Sequence, residues 1–248
     1  MIMIMGSQHD DILYFESVMS NKKEETVLGR YKVTIGTIFN QAVLIVDGIK
    51  TNYHSSALTL YLVEKYNVIL VFAVGRCIAC SDDIKPLEIA ISKNIVAGDV
   101  DQVNEENVKM GQIPDFEQYF ECSKDVISYL FNAFEKRTFS TYKTANYVST
   151  SVDFHNIYQI NSLREFDHVL GFENGVVFDC NSAGLAMAAS ICKVPFVSIK
   201  VVERRINDKA NIDTYLAALK EYVNIGKALV TCIGDIGRNE VIIEERRD

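Results

Sequence analysis

The sequence predicts an α/β fold, a single-domain α/β sandwich around a central mixed, mainly parallel β-sheet. Three observations carry this. Short β-branched apolar runs recur along the chain, several of them apolar on both sides, as in central strands covered by helices on two faces. Segments with apolar residues at helical spacing lie between them. No repeat, low-complexity tract or Pro/Gly/Ser linker divides the 248 residues, and the three prolines stand apart at 86, 114 and 195. One domain over residues 1–248 is the simplest organisation.

The strand-like runs, in order, are Ile2–Met5, Tyr31–Ile38, Ala42–Val46, Val68–Phe72, Ile89–Val96, Ala145–Ser149, Gly175–Phe178 and Phe196–Val202. The helical segments are Ser55–Tyr66, with Leu58, Tyr61 and Leu62 on one face, and Ser123–Lys136, with Val126, Ile127, Leu130, Phe131 and Phe134. Ser182–Cys192, rich in Ala and Met, is a third. Ile212–Ile233 is the fourth, with Leu216, Leu219, Val223 and Val230 in register and Asp213 favourably placed near its start. In open α/β sheets ligands sit beyond the carboxyl ends of strands, so the loops that follow these runs are where a site is expected.

Composition narrows the function. A chain that is 48% hydrophobic folds rather than staying disordered. A net charge of −8 disfavours sequence-independent binding to nucleic acid, whose backbone it repels. The apolar runs, such as Val68–Val74, have strand length and do not reach that of a membrane span. Met1–Gly6 lacks the basic lead and the length of a signal peptide and reads as a buried first strand. The six cysteines are therefore expected as reduced thiols in the cytoplasm. Cys77-Ile-Ala-Cys80 has no second cysteine pair or nearby histidine pair for zinc and no thioredoxin-like context, so two buried thiols are expected there. His9, His54, His155 and His168 show no metal spacing, and neither a Walker loop nor a G-x-S-x-G elbow occurs. No metal and no cofactor is expected.

The most informative stretch runs from Val177 to Lys200. A strand leads into Asp179-Cys-Asn-Ser-Ala-Gly184, a small-residue helix follows, and Val194-Pro-Phe196 opens the next strand. It resembles, without a gap, the signature of the nucleoside phosphorylase and nucleosidase superfamily: Glu-Met-Glu-Ser/Ala-Ala/Thr-Gly/Ala, a helix, then Val-Pro-Phe. Other stretches fall in the same order over roughly residues 2–235. Ile2-Met-Ile-Met-Met-Gly6 with Ser-Gln-His-Asp-Asp11 resembles the opening strand, turn and acidic run, and Asp47-Gly-Ile-Lys50 the Ser-Gly-Ile-Gly turn. Val71-Phe-Ala-Val-Gly-Arg-Cys77 stands in place of a glycine-rich loop, where Arg76 and Cys77 are bulky. Gly98-Asp-Val-Asp101 followed by Met110-Gly-Gln-Ile-Pro114 is similar to a pattern of the 5′-methylthioadenosine/S-adenosylhomocysteine nucleosidase branch.

The resemblance implies hydrolysis of a purine nucleoside by a homodimer. That chemistry needs a proton for the departing purine, stabilisation of a ribosyl cation and an activated water. The resemblance implies that Asp11 positions the water, that Asp179, Cys180 and Asn181 meet the ribose, and that Val74 and Phe154 border the ligand, Phe154 by stacking on the base. The proton-donating Ser-Asp pair falls on Glu203-Arg204. Arginine cannot release a proton near neutral pH, which leaves Glu203 as a substitute acid and Arg204 as a hydrogen-bond donor at the purine edge. Asn181 stands where the family carries a Glu and brings no negative charge. Two other outcomes therefore stay open: a non-catalytic nucleoside-binding relative, and a phosphorylase with Arg76 and Arg30 as candidate phosphate ligands.

Overall fold

The computed structural model describes residues 1–100, 108–151, 172 and 175–238. Its strands are β1 (Ile2–Gly6), β2 (Ser20–Val27), β3 (Tyr31–Ile38), β4 (Gln41–Val46), β5 (Leu70–Ala79), β6 (Ile89–Ala97), β7 (Phe120–Glu121), β8 (Tyr142–Ser149), β9 (Val176–Asp179) and β10 (Phe196–Arg205). The helices are α1 (Leu13–Val18), α2 (Asn52–Tyr66), α3 (Lys124–Arg137), α4 (Ser182–Ile191) and α5 (Ile212–Arg238), with a 3-10 turn at His9–Asp11.

The expected mixed α/β fold is present. Parallel ladders join β4, β1, β5 and β10 at the centre, and β6, β8 and β9 beside them. Antiparallel pairing carries the sheet outward from β4 through β3 to β2. Antiparallel ladders also link β10 to β6 and β9 to β5. The strands β5, β10, β6, β8 and β9 therefore close on themselves as a small barrel, and β1, β4, β3 and β2 extend from it as an open sheet. The apolar runs explain this arrangement: every residue of β1 is buried, as are Val43–Val46 of β4 and nearly all of β5.

The strand β5 belongs to both parts. Its first half, Leu70–Val74, pairs with β1, and Ile78–Ala79 pair with β9 on approach from the other direction. Between them the sheet forks, and Gly75, Arg76 and Cys77 keep a ladder with β10 alone, opposite Lys200, Val201 and Val202. The sequence suggested a strand ending at Phe72 and a loop over Ala73–Cys77. The β10 ladder instead carries the strand through to Ala79.

Two groups of helices cover the sheet. The helix α2 packs on α4, and α5 packs on α1 and α3. Thr51 caps α2 by accepting the His54 amide at 3.3 Å, so the helix starts at Asn52 rather than Ser55. Ser123 caps α3 through the Val126 amide. The crossing of α2 and α4 is close because Gly184 has no side chain: a Cβ there would overlap the Asn52 carbonyl and the Ser55 hydroxyl. The strand β2 was not expected, because its Asn-Lys-Lys-Glu-Glu run has no apolar alternation. It is an exposed outer strand whose charges pair with neighbours, Lys32 with Glu24 at 2.7 Å and Lys65 with Glu25 at 2.9 Å.

Candidate active site

The fork in the sheet creates the site. The strand β1 runs parallel to β5 and ends at the rung Gly6–Val74, while β9 runs antiparallel to β5 and ends at Asp179. The carboxyl ends of β1 and β9 thus converge on the stretch Gly75–Cys77. Such a divergence of neighbours is where α/β sheets open a crevice. Gly75 has φ +152°, and a Cβ on it would stand 2.9 Å from Ser7 Oγ and 3.2 Å from Asp11 Oδ2. Here a glycine is what allows the turn after β1 to lie directly on β5.

Asp11 is 3% exposed. Its Oδ2 accepts the amides of Ser7 and Gln8, each at 2.8 Å, which fixes the carboxylate over the fork. Its Oδ1 is buried and has no hydrogen-bond partner among the described residues. Burial raises its pKa to about 6, against the opposing pull of the Gln8 amide, the Tyr222 phenol and the charges of Arg76 and Lys200. A carboxylate with one anchored and one free oxygen, titrating near neutrality, suits a general base.

Arg76 reaches across to β10, where its Nη1 donates to Glu203 Oε2 at 2.7 Å, both side chains being largely buried. Its guanidinium also lies over the Tyr215 ring, 4.9 Å from the centroid, and the Tyr215 hydroxyl donates to Asp10 at 2.8 Å. A third cluster lies under the start of α4. Lys200, 1% exposed, places Nζ 2.5 Å from both Asp179 Oδ2 and Asn181 Oδ1. Asp179 also accepts the Ser182 hydroxyl, which contacts the Ser198 hydroxyl at 2.8 Å. Asn181 Nδ2 donates to Ser7 Oγ at 2.9 Å and to the Ile49 carbonyl at 2.7 Å, tying this cluster to the turn that holds Asp11. Both amide protons of Asn181 are thereby used, and its Oδ1 keeps one lone pair beyond the bond from Lys200.

A groove of about 450 Å³ adjoins the start of α4, between α2 and the ends of β6 and β8. Its lining is mostly apolar, including Ala57, Leu60, Val100, Ile113 and Met187, with Asn52, Ser56, Asp99 and Ser151 among its polar groups.

The sequence profile described as the phosphorylase superfamily matches residues 2–233. The chain belongs to the phosphorylase superfamily. A 5′-methylthioadenosine/S-adenosylhomocysteine nucleosidase of Staphylococcus haemolyticus is 20% identical over 212 residues, 86% of this chain and 90% of the relative. Among solved structures, the nucleosidase of that name from Neisseria meningitidis, in complex with methylthio-immucillin-A, superposes with a TM-score of 0.83. It is 16% identical, over 94% of this chain and 98% of the other. Futalosine hydrolase of Helicobacter pylori has a TM-score of 0.81 at 16% identity, over 94% of this chain and 97% of the other. The fold is thus nucleosidase-like.

Within this superfamily fold, several of the residues singled out in the sequence lie around the fork. Asp11, Asp179 and Asn181 are linked there through Ser7 and Lys200, and Glu203 pairs with Arg76, whose charge acts on Asp11. Cys180 is half-buried between Asp179 at the end of β9 and Asn181 at the start of α4. Arg204 is buried, and its Nη1 donates to the carbonyls of Arg205 at 3.3 Å and Asp208 at 2.9 Å, within the turn that follows β10. Val74 is packed in the hydrophobic core. Phe154 lies outside the described residues. Cys77 and Cys80 are buried thiols outside any disulfide, and burial holds the Cys77 pKa well above its ordinary value. Sequence reasoning missed Ser7, Lys200, Tyr215 and Tyr222. Lys200 had a signal: it is the one charged residue in the apolar run Phe196–Val202.

Proposed function

We propose that this chain is an N-glycosyl hydrolase that cleaves a purine nucleoside, 5′-methylthioadenosine or a relative of it. The observation that carries the reading is Asp11, a buried carboxylate with one anchored oxygen and one free oxygen, at the fork of a phosphorylase-superfamily sheet. In this reading Asp11 takes a proton from water as its oxygen bonds to the sugar carbon. The carbon–nitrogen bond breaks, its electron pair leaves with the purine, and the purine gains a proton to match the one water lost. Asp179, Cys180 and Asn181 face the sugar, Phe154 and the Val74 stretch of β5 border the ligand, and Glu203 and Arg204 stand toward the base. Glu203 accepts a bond from Arg76, so it would have to leave that partner before donating a proton itself.

The same bonds favour a second reading, a nucleoside-binding relative without turnover: Asn181 brings no charge and its amide protons are already engaged. Phosphorolysis is disfavoured, because Arg76 and Lys200 are each paired with a carboxylate, and Arg30 lies over Tyr31 near the β2–β3 turn. We also propose a cytoplasmic homodimer acting on a small molecule, with neither nucleic acid nor membrane as partner. Six cysteines outside any disulfide support a reducing compartment, and the apolar groove beside the exposed Tyr53 supports self-association.

Purine release from methylthioadenosine, followed with and without phosphate, tests the reading. Release without phosphate supports it, release only with phosphate replaces it with a phosphorylase, and binding without release favours the silent relative.

A further inference from the structure

The face of α5 that meets the turn after β1 carries Tyr215, Tyr222 and Gly226, at helical spacing. At one end Tyr215 donates to Asp10. At the other, Gly226 sits so close to the Tyr14 ring that a Cβ would overlap it. Contacts to residues 10 and 14 at the two ends place Tyr222, which lies between them, against Asp11. Tyr222 is 5% exposed, and its hydroxyl, like Asp11 Oδ1, is buried without a hydrogen-bond partner among the described residues. The two groups influence each other's ionisation: the phenol draws the Asp11 pKa down, and burial together with the Asp11 charge pushes the phenol far up, so Tyr222 keeps its proton.

Two neighbouring buried polar atoms, each lacking a partner, are costly to leave so unless something small bonds both. An acceptor-only carboxylate oxygen beside a phenol, which both donates and accepts, complements one water molecule. We propose that Tyr222 is a positioning residue which, with Asp11 Oδ1, holds the water that attacks the sugar. The inference rests on the nucleosidase reading. It gives the attacking oxygen a second contact, from helix α5, that fixes its direction. The water gives a proton to Asp11 and its oxygen to the sugar carbon, while the phenol ends the step with its own proton.

The variant Tyr222→Phe removes one oxygen and keeps the ring. The expected result is a fall in kcat of about 10- to 100-fold with KM nearly unchanged. The acid limb of the pH–rate profile should move to higher pH as Asp11 loses the phenol. Carbon-13 NMR of the Asp11 carboxyl in the ligand-free protein should show its titration moving the same way. An unchanged kcat and an unchanged Asp11 titration overturn the inference. If the parent protein releases no purine from any nucleoside tried, the nucleosidase reading fails, and with it the attacking role. The titration and a high-resolution crystal structure then still report whether the two groups share a water. If Tyr222→Phe does not fold, the crystal structure of the parent decides: a water bonded to both Asp11 Oδ1 and the Tyr222 hydroxyl supports the inference, and the absence of any such shared water overturns it.

Discussion

Arg76 on β5 and Glu203 on β10 form a 2.7 Å ion pair across adjacent parallel strands, at the place where β1 has already left the sheet. The pair sets the charge of the fork: it places a guanidinium near Asp11 and engages the carboxylate that sequence reasoning offered as the proton donor. Replacing Arg76 with Met strands a largely buried Glu203 and is expected to cost about 3 kcal/mol. Joining it with Glu203→Met should restore most of that loss. Urea unfolding of the two single variants and the double variant measures the coupling, and strict additivity would count against the pairing.

Asp11 gives a pH signature. Burial lifts its folded-state pKa from an ordinary 3.8 to about 6, so between those values the folded protein holds the proton more tightly than the unfolded chain. Stability therefore falls as pH rises across that window, by at most about 3 kcal/mol from this group. Asp11→Asn removes the penalty. The expected outcome is a higher Tm than the parent at pH 7, a gap that closes toward pH 4, and loss of hydrolysis by about 100-fold or more. Equal Tm values at pH 7 would contradict the assignment of a costly ionised group.

Lys200 is the counter-charge of Asp179 beneath α4. Lys200→Met leaves a fully buried carboxylate with hydroxyl and amide partners but no cation. A loss of about 3–5 kcal/mol is expected in chemical denaturation. A variant that unfolds at the parent's midpoint would show that Asp179 does not depend on the lysine.

Asn181→Glu tests whether a missing charge limits the chemistry. Lys200 already lies 2.5 Å from Asn181 Oδ1, so a carboxylate there has a cation to meet. The expected effect is a rise in purine release of about 10- to 100-fold over the parent, the scale of one charged contact to a developing cation. A further gain from Arg204→Asp is expected to be partly offset, because Arg204 bonds the carbonyls of Arg205 and Asp208. No rise in release with Asn181→Glu, in a variant that keeps the parent's fold, would favour the silent binder.

The fold was legible where burial leaves a clear pattern. The runs at Ile2, Ala42 and Ile89 are apolar because strands largely buried on both faces need such residues, and all three are strands, as is the run at Tyr31. The charged strand β2 was not legible, because an outer strand is held by its backbone ladder to β3 and its side chains record only solvent. The extent of β5 was obscured for another reason: Gly75-Arg76 reads as a turn, and what keeps it extended is a partner strand more than a hundred residues away. In the site, Asp11, Asp179 and Glu203 drew notice through the resemblance to the superfamily's motifs. Tyr222 did not, since an aromatic residue on an amphipathic helix reads as core until its hydroxyl is found without a partner.

The closed barrel also bears on how the protein comes to fold. Its closure needs β5, at residues 70–79, to receive β10, at residues 196–205, and the Arg76–Glu203 and Lys200–Asp179 pairs depend on that docking. Contacts so distant in sequence must be formed against a large loss of chain entropy, which makes folding slow compared with proteins of local topology. A nascent chain still lacking β10 has β1, β4 and β5 with their apolar faces ready but no partner for Gly75–Cys77. The candidate pocket and the completed fold are thus acquired in one late event, and a truncated chain would present a sticky, unpaired β5 rather than a weakened but folded protein.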